Sequence, residues 1–211
     1  MDRLQLKEQA KNAIRNALPN PALVTFSLFI MIVVLIAPQT ILLEWQAGMH
    51  VAAPPIEILI IFSVGVQLLS SILMFGYTGV YALKVAQGEP AGYKNLFDGF
   101  YQPGKVLWLT ILIGLFTFLW SLLFVIPGIV AAYRYRQAYF VLAQNKNVTA
   151  LEALQISKKL MRGRKIDLFV LDLSFIGWAI LCSLTWGILY IWKLPYFSVT
   201  YANFYRRLSS S

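Results

Sequence analysis

The sequence predicts an all-α membrane protein, from its composition, its long apolar stretches and the placement of its basic residues. Of the 211 residues 59% are hydrophobic, the mean hydropathy is +0.66, and only 13% are charged. Soluble domains carry about 25% charged residues. A chain of this size has too little interior to bury so many apolar side chains. The composition therefore excludes an intrinsically disordered chain and a water-soluble enzyme.

Six stretches are candidates for membrane spans, because a helix needs about 20 mostly apolar residues to cross the hydrocarbon. The fourth stretch contains Arg134 and Arg136, and the sixth contains Lys193 and Pro195. A charged residue at the centre of a span costs about 2.5–3.5 kcal/mol of insertion free energy, so hydropathy alone does not decide whether these two stretches cross the membrane. The six stretches are 22–43, 56–82, 106–126, 129–143, 166–186 and 188–205.

The basic residues favour six crossings. If all six stretches cross and the N terminus is cytoplasmic, 15 of the 18 Lys and Arg residues lie in cytoplasmic segments, and the outer loop Glu44–Pro55 has none. If the fourth stretch did not cross, the later segments would invert and the basic residues would be divided almost equally between the two sides. The positive-inside rule therefore predicts six spans with both termini in the cytoplasm.

Short outer turns predict that the six spans form three hairpins. The turns are Pro127-Gly128, between spans three and four, and Thr185-Trp186-Gly187, between spans five and six. A shift of 59 residues places Gly128 on Gly187 and Arg134 on Lys193. The last two hairpins are thus interpreted as an internal repeat, which occurs in transporters but also in proteins that transport nothing.

Two short amphipathic helices are predicted on the cytoplasmic side. The first lies within residues 1–21, where Leu6, Ala10, Ala13 and Ala17 share one stripe and Pro19-Asn20-Pro21 ends the helix. The second covers 149–163, from a Thr149–Glu152 capping box to Gly163. Both could lie in the headgroup plane, where each basic residue gains about 1 kcal/mol from anionic lipid, or serve only as topology signals. The candidate lipid contacts are Lys158, Lys159, Arg162, Arg164 and Lys165.

The charged residues within the spans are the candidate functional site, an intramembrane polar or anion site at Arg134, Arg136, Asp172 and Lys193. Arg136 and Asp172 are predicted at similar depth, where they could form an ion pair. Lys193 could reach the interface, or pair with Glu57 or Glu44. In a structural account the pair is a clamp between hairpins, while Arg134 and Lys193 cap carbonyls of neighbouring helices. In a functional account the cations line a cavity that receives an anionic group such as a lipid phosphate.

No catalytic, metal or nucleic-acid motif supports another function. The only histidine, His50, falls in the outer loop, and the only cysteine, Cys182, lies in an apolar span. There is no nucleophile elbow, metalloprotease motif or phosphate-binding loop. The basic residues alternate with the spans and form no patch for nucleic acid. We therefore expect no enzyme activity, no cofactor, no metal and no nucleic-acid partner.

Several motifs resemble a family of bacterial integral membrane proteins of unknown function, common in Gram-positive bacteria. More distantly, this family resembles the membrane domain attached to some glycerophosphodiester phosphodiesterases. The resemblance implies a membrane module without catalysis of its own, near phospholipid headgroups, and carries over no catalytic residue. The matching residues are Leu6-Lys7, Ala10-Lys11, Ile126-Pro127-Gly128, Ala132-Tyr133, Ala150–Leu154, Ser157, Leu160–Gly163, Leu171–Trp178, Leu194-Pro195-Tyr196, Ala202 and Phe204-Tyr205-Arg206.

These observations predict a non-enzymatic module of the bacterial plasma membrane that binds lipid headgroups or a membrane partner. The first alternative is a small transporter or flippase-like protein whose path follows the four intramembrane charged residues, and the second is a membrane-embedded enzyme. The sequence allows either a second copy of the chain or another membrane protein as its partner.

Overall fold

The computed structural model describes residues 3–49 and 56–210, with side chains at 3–38 and 57–210. This part of the chain is 84% helical and contains no strand, which confirms the all-α class. A π-helical turn, Gly76–Tyr81, joins α3 to α4, and a 3₁₀ segment, Tyr93–Tyr101, precedes α5. The helices are α1 Arg3–Asn16, α2 Pro21–Met49, α3 Ile56–Phe75, α4 Ala82–Gln87, α5 Pro103–Leu123, α6 Val125–Tyr135, α7 Ala138–Gln144, α8 Ala150–Leu160, α9 Lys165–Leu173, α10 Ile176–Leu184 and α11 Tyr190–Ser209.

Within the described residues, three helical stretches are long and apolar enough to cross a membrane. They lie in α2, in the continuous run Glu57–Gln87, and in α5. A fourth is added if α9 and α10, which meet at a bend of 41°, count as one broken span. The predicted span 129–143 is divided between α6 and α7, and 188–205 lies in α11; neither passes the same test.

Several helices have limits that differ from those of the predicted spans. The second helix continues beyond 43 to Met49, so only 50–55 of the predicted outer loop, with His50, lies outside the described residues. The hairpin of spans three and four, predicted to turn at Pro127-Gly128, instead turns at Phe124, whose backbone is extended. Pro127 and Gly128 belong to the first turns of α6, where proline is tolerated because those N–H groups have no partner within the helix.

The predicted stripe on α1 is confirmed. Leu6 and Ala10 are buried, Ala13 and Ala17 are partly buried, and the helix packs against α11 and α4. Its apolar face therefore contacts protein.

Burial divides the molecule into two regions. A packed region contains α1, the π-helical turn, α4, α7, α8, the first half of α5 and the second half of α11, and its buried side chains include Tyr77, Tyr81 and Leu109. The second half of α5, α6 up to Val130, α10, and α11 up to Trp192 expose most of their apolar side chains. We call residues 115–130 and 176–192 the hairpin ends. They include Phe124, 73% exposed, and Trp186, 95% exposed.

Two glycines bring the 3₁₀ segment against α3. A Cβ atom on Gly76 would lie 2.1 Å from the carbonyl oxygen of Leu96, and one on Gly99 would lie 2.6 Å from that of Ile72. These distances are far below van der Waals contact, so only glycine permits this packing. The aromatic side chains of the segment, Tyr93, Phe97, Phe100 and Tyr101, remain on the surface.

The predicted capping box opens α8. The Thr149 hydroxyl accepts a hydrogen bond from the Glu152 N–H, and the Glu152 carboxylate accepts from the Thr149 N–H at 2.8 Å. These bonds from the Thr149 backbone and hydroxyl hold the pKa of Glu152 below its ordinary value. Gly163, with φ of +76°, follows the helix as predicted.

Because this cap satisfies donors that a helix terminus leaves unpaired, we expect Thr149→Ala to lower the melting temperature by a few degrees. The box requires ionised Glu152, so the difference between the wild type and Thr149→Ala should shrink as the pH falls through the lowered pKa of Glu152. Melting of both proteins in detergent at neutral and acidic pH measures this. An unchanged difference at acidic pH would contradict it.

Candidate functional site

The site is built around Asp172, near the C-terminal end of α9. Its Oδ2 accepts hydrogen bonds from Arg136 Nη1 at 2.5 Å and from the Tyr133 hydroxyl at 2.7 Å. Its Oδ1 accepts one from the Tyr201 hydroxyl at 2.7 Å. The predicted Arg136–Asp172 ion pair is therefore present. Two aromatic hydroxyls, which the sequence analysis did not include, complete the cluster.

A helix break directs Arg136 toward this carboxylate. α6 ends at Tyr135 and α7 begins at Ala138, so Arg136 lies in the interruption between the two helices. The Arg136 guanidinium carbon lies 4.4 Å from the ring centroid of Tyr201, within cation–π distance. The Arg136 and Asp172 side chains remain 38% and 22% exposed. The cluster of Arg136, Asp172 and the two tyrosines thus joins α6, α9 and α11, and its ion pair stays partly exposed.

A cavity of about 600 Å³ adjoins the ion pair. Its polar groups include Arg136, Asp172, Tyr133 and Tyr201, and its walls are mainly aromatic and aliphatic side chains from α3, α7, α9, α10 and α11. Ile176 and Ala179, on the exposed helix α10, form one wall. The cavity therefore extends from the ion pair to the apolar surface of a hairpin end.

The other two predicted site residues lie elsewhere. The Arg134 guanidinium carbon is 5.9 Å from the Trp120 ring centroid, and the Lys193 ammonium is 3.7 Å from that of Trp178. Neither residue lines the cavity. In place of the expected carbonyl caps, each cation contacts a tryptophan on the partner helix of its own hairpin. Of the acidic partners expected for Lys193, Glu57 is exposed, and the side chain of Glu44 lies outside the described part.

The predicted lipid-contact residues are on the surface around the C-terminal end of α8. Lys158, Lys159, Arg162 and Arg164 are exposed, and Lys165 is half-buried. Arg164 forms a 3.6 Å ion pair with Asp167 three residues later.

Lys7 is a further contact that sequence reasoning missed. Its ammonium donates to the carbonyl oxygen of Ser174 at 3.1 Å and lies 4.4 Å from the ring centroid of Phe175, a cavity residue. Burial lowers the pKa of Lys7 below its ordinary value, and neighbouring Arg3 and Lys11 add to the effect. No local spacing in the sequence relates Lys7 to a residue 167 positions away.

Within the part of the chain that the structure describes, no group of three or more His, Cys, Asp or Glu side chains could hold a metal ion. Cys182 is a buried free cysteine, which packs as a small hydrophobic side chain.

Fold and site together define an all-helical protein with several helices apolar enough to span a membrane and one aromatic cavity containing an ion pair. The chain belongs to the family described as "Protein of unknown function (DUF975)", whose model matches residues 1–133 and 122–211. No curated protein and no solved structure shows a significant match to the chain.

Proposed function

We propose that this chain is a multi-pass protein of the bacterial plasma membrane, with both termini in the cytoplasm, that binds a phospholipid without acting as an enzyme. The observation that supports this best is the cavity, which combines apolar walls with one cationic and hydroxyl-rich edge at Arg136, Tyr133 and Tyr201. Six crossings, the topology predicted from the placement of the basic residues, are one arrangement that leaves the termini on this side.

The chemistry of the cavity matches an amphiphile. Small-molecule sites commonly occupy about 300–1,000 Å³ and combine apolar walls with a few polar groups that orient the ligand. Arg136 uses Nη1 on Asp172, and its remaining N–H groups could bind a phosphate oxygen in the fork geometry that guanidinium favours. Acyl carbons would then lie against Phe169, Ile176 and Phe197. Asp172 both orients Arg136 and limits the net charge, which favours a singly charged headgroup.

The surface charges support contact with anionic lipid. Lys158, Lys159 and Arg162 are exposed at one end of α8, and basic side chains near an anionic surface each contribute about 1 kcal/mol of attraction. The resemblance to the membrane domain of glycerophosphodiester phosphodiesterases points the same way, toward a module near phospholipid headgroups.

The transporter alternative receives less support. It requires Arg134, Arg136, Asp172 and Lys193 along one path, whereas only Arg136 and Asp172 line the cavity. The proposed repeat of the last two hairpins is supported by the cation–tryptophan contact that each contains. It is not supported by the glycines, because Gly128 lies within a helix and Gly187 lies in a turn.

Filling the cavity tests the proposal. Ala179 is an exposed cavity residue on α10, so Ala179→Trp should occupy the space without disturbing the packed region. We expect native mass spectrometry of the mildly extracted protein to show phospholipid adducts on the wild type, reduced several-fold in Ala179→Trp. Ala132→Trp is the matched control, because Ala132 is exposed on α6 but does not line the cavity.

Equal adducts on the wild type and Ala179→Trp would remove the cavity as the binding site. A wild type that carries no phospholipid above the level of a detergent-solubilised control protein would remove lipid binding altogether. Loss in both tryptophan variants would show that bulk on the exposed helix surface, and not occupation of the cavity, displaces lipid.

A further inference from the structure

We propose that the two hairpins α5–α6 and α10–α11 are re-entrant. Both enter the hydrocarbon from the cytoplasmic side, turn within it and leave on the same side, so their hairpin ends contact the acyl chains of the cytoplasmic leaflet alone. Only α2 and α3 cross the bilayer. This topology requires membrane insertion, but it does not depend on whether the cavity binds lipid.

The base of the first hairpin is held at the level of charged surface residues. Ser157 Oγ, on α8, donates a hydrogen bond to the carbonyl oxygen of Arg134 at 2.8 Å. The next two residues, Lys158 and Lys159, are exposed. If Arg134 were near the middle of the membrane, these two ammonium groups would be exposed to hydrocarbon, which is strongly unfavourable. The end of α6 therefore lies at the cytoplasmic headgroups.

From that level the first hairpin is too short to cross. The nine residues of α6 from Val125 to Tyr133 rise about 14 Å at 1.5 Å per residue. The hydrocarbon is about 30 Å thick. The turn at Phe124 therefore reaches about the middle of the bilayer, where its exposed apolar neighbours contact acyl chains.

The second hairpin has the same depth. Its base is held by Lys7 of α1, which donates a hydrogen bond to the carbonyl oxygen of Ser174. Three other basic residues of α1, Arg3, Lys11 and Arg15, are exposed. α10 then has nine residues, which again rise about 14 Å before the turn at Trp186. Two hairpins of different sequence thus end at the same level.

The start of α2 and the end of α3 lie at this same level, but both helices extend further from it than the two hairpins do. Met74, at the end of α3, and Thr78, in the π-helical turn that follows, line the cavity together with Arg136 and Asp172, so the ends of these elements share one depth. The Thr25 and Tyr77 hydroxyls lie 2.7 Å apart and bring the start of α2 to this depth too. α3 has 20 residues, about 30 Å, which matches the full hydrocarbon thickness.

Re-entrant hairpins also satisfy the charge distribution. A hairpin that returns to its own side leaves residues 136–175 in the cytoplasm, as two full crossings would. The basic segments around α8 and at the C terminus therefore stay inside in both topologies, so the positive-inside rule does not distinguish them.

Depth-dependent fluorescence quenching tests the topology. In a Cys182→Ala background, single cysteines at Phe124→Cys and Leu184→Cys mark the two hairpin ends, and Glu57→Cys marks the far end of α3. Each is labelled with a small fluorophore and reconstituted into phosphatidylcholine–phosphatidylglycerol vesicles. The vesicles contain lipids with a nitroxide either near the headgroup or near the end of the acyl chain.

We expect the two hairpin-end labels to be quenched several-fold more strongly by the deep nitroxide than by the shallow one. The Glu57→Cys label should show the reverse order. Hairpin-end labels that follow the Glu57→Cys pattern would establish full crossings and overturn the proposal. Labels quenched by neither nitroxide would overturn it too, because the hairpins would then lie outside the hydrocarbon. The lipid-adduct measurement on Ala179→Trp is unaffected by either outcome.

Discussion

Replacing Asp172 with asparagine is expected to lower the free energy of unfolding by about 2 kcal/mol. The carboxylate accepts three hydrogen bonds, from Arg136, Tyr133 and Tyr201, and an amide has a single oxygen with which to accept them. The substitution also leaves the Arg136 guanidinium without its counter-charge in a partly buried site. Denaturation of the purified protein by SDS titration measures the loss. Glu8→Gln, an exposed acid on α1, is the control and should have little effect.

A double-mutant cycle separates the ion pair from the tyrosine contacts. We expect Arg136→Gln and Asp172→Asn to couple by about 1 kcal/mol or more, since each single change leaves one charge unpaired and the double change leaves none. Additive losses would show that the pair contributes nothing of its own. Exchanging the two charges should restore little, because an arginine at position 172 cannot accept the bonds that the two tyrosine hydroxyls donate.

Gly76→Ala is expected to lower the free energy of unfolding by about 3 kcal/mol, more than Asp172→Asn does, or to prevent the native packing of the 3₁₀ segment. The added methyl would lie 2.1 Å from the carbonyl oxygen of Leu96, a backbone atom that moves only if the segment moves. Leu96 is buried, so such a shift also disrupts the packing around it. The melting temperature in detergent and the protease sensitivity of residues 88–102 measure the effect.

Gly114→Ala is the matched control. Gly114 also lies in a helix, but a Cβ atom there would meet nothing within 4 Å. The control should melt at or slightly above the wild-type temperature because alanine favours helix. Equal melting temperatures of Gly76→Ala and the wild type would mean that the 3₁₀ segment does not pack on α3 as described.

Local patterns predicted the features that depend on neighbours in the chain. The stripe on α1 and the Thr149–Glu152 box follow from spacing of three or four residues, and both are present. The Arg136–Asp172 pair was predicted because burying an isolated charge is so unfavourable that a partner at similar depth is expected. These predictions needed no knowledge of the tertiary fold.

Other features depend on packing and could not be read from the sequence. Hydropathy treats 129–143 as one stretch, but the helix is interrupted at Arg136 and Gln137, where the Arg136 guanidinium bonds to Asp172 on α9. Tyr133 and Tyr201 reach Asp172 only once three helices meet. The Pro127-Gly128 pair is typical of a turn, but proline is equally suited to the first turn of a helix. The local sequence therefore does not distinguish a turn from a helix start at this position.

The packing of the first helix against the last has a consequence for biosynthesis. Leu6 shares its buried cluster with Met161, Leu168 and Phe204, all encoded about 150 residues or more downstream. At a translation rate of about 5–20 residues per second, α1 waits on the order of ten seconds or more at the ribosome before these partners emerge. During that interval its apolar stripe lacks the side chains that bury it in the folded chain. Docking of α1 is therefore a late step in folding.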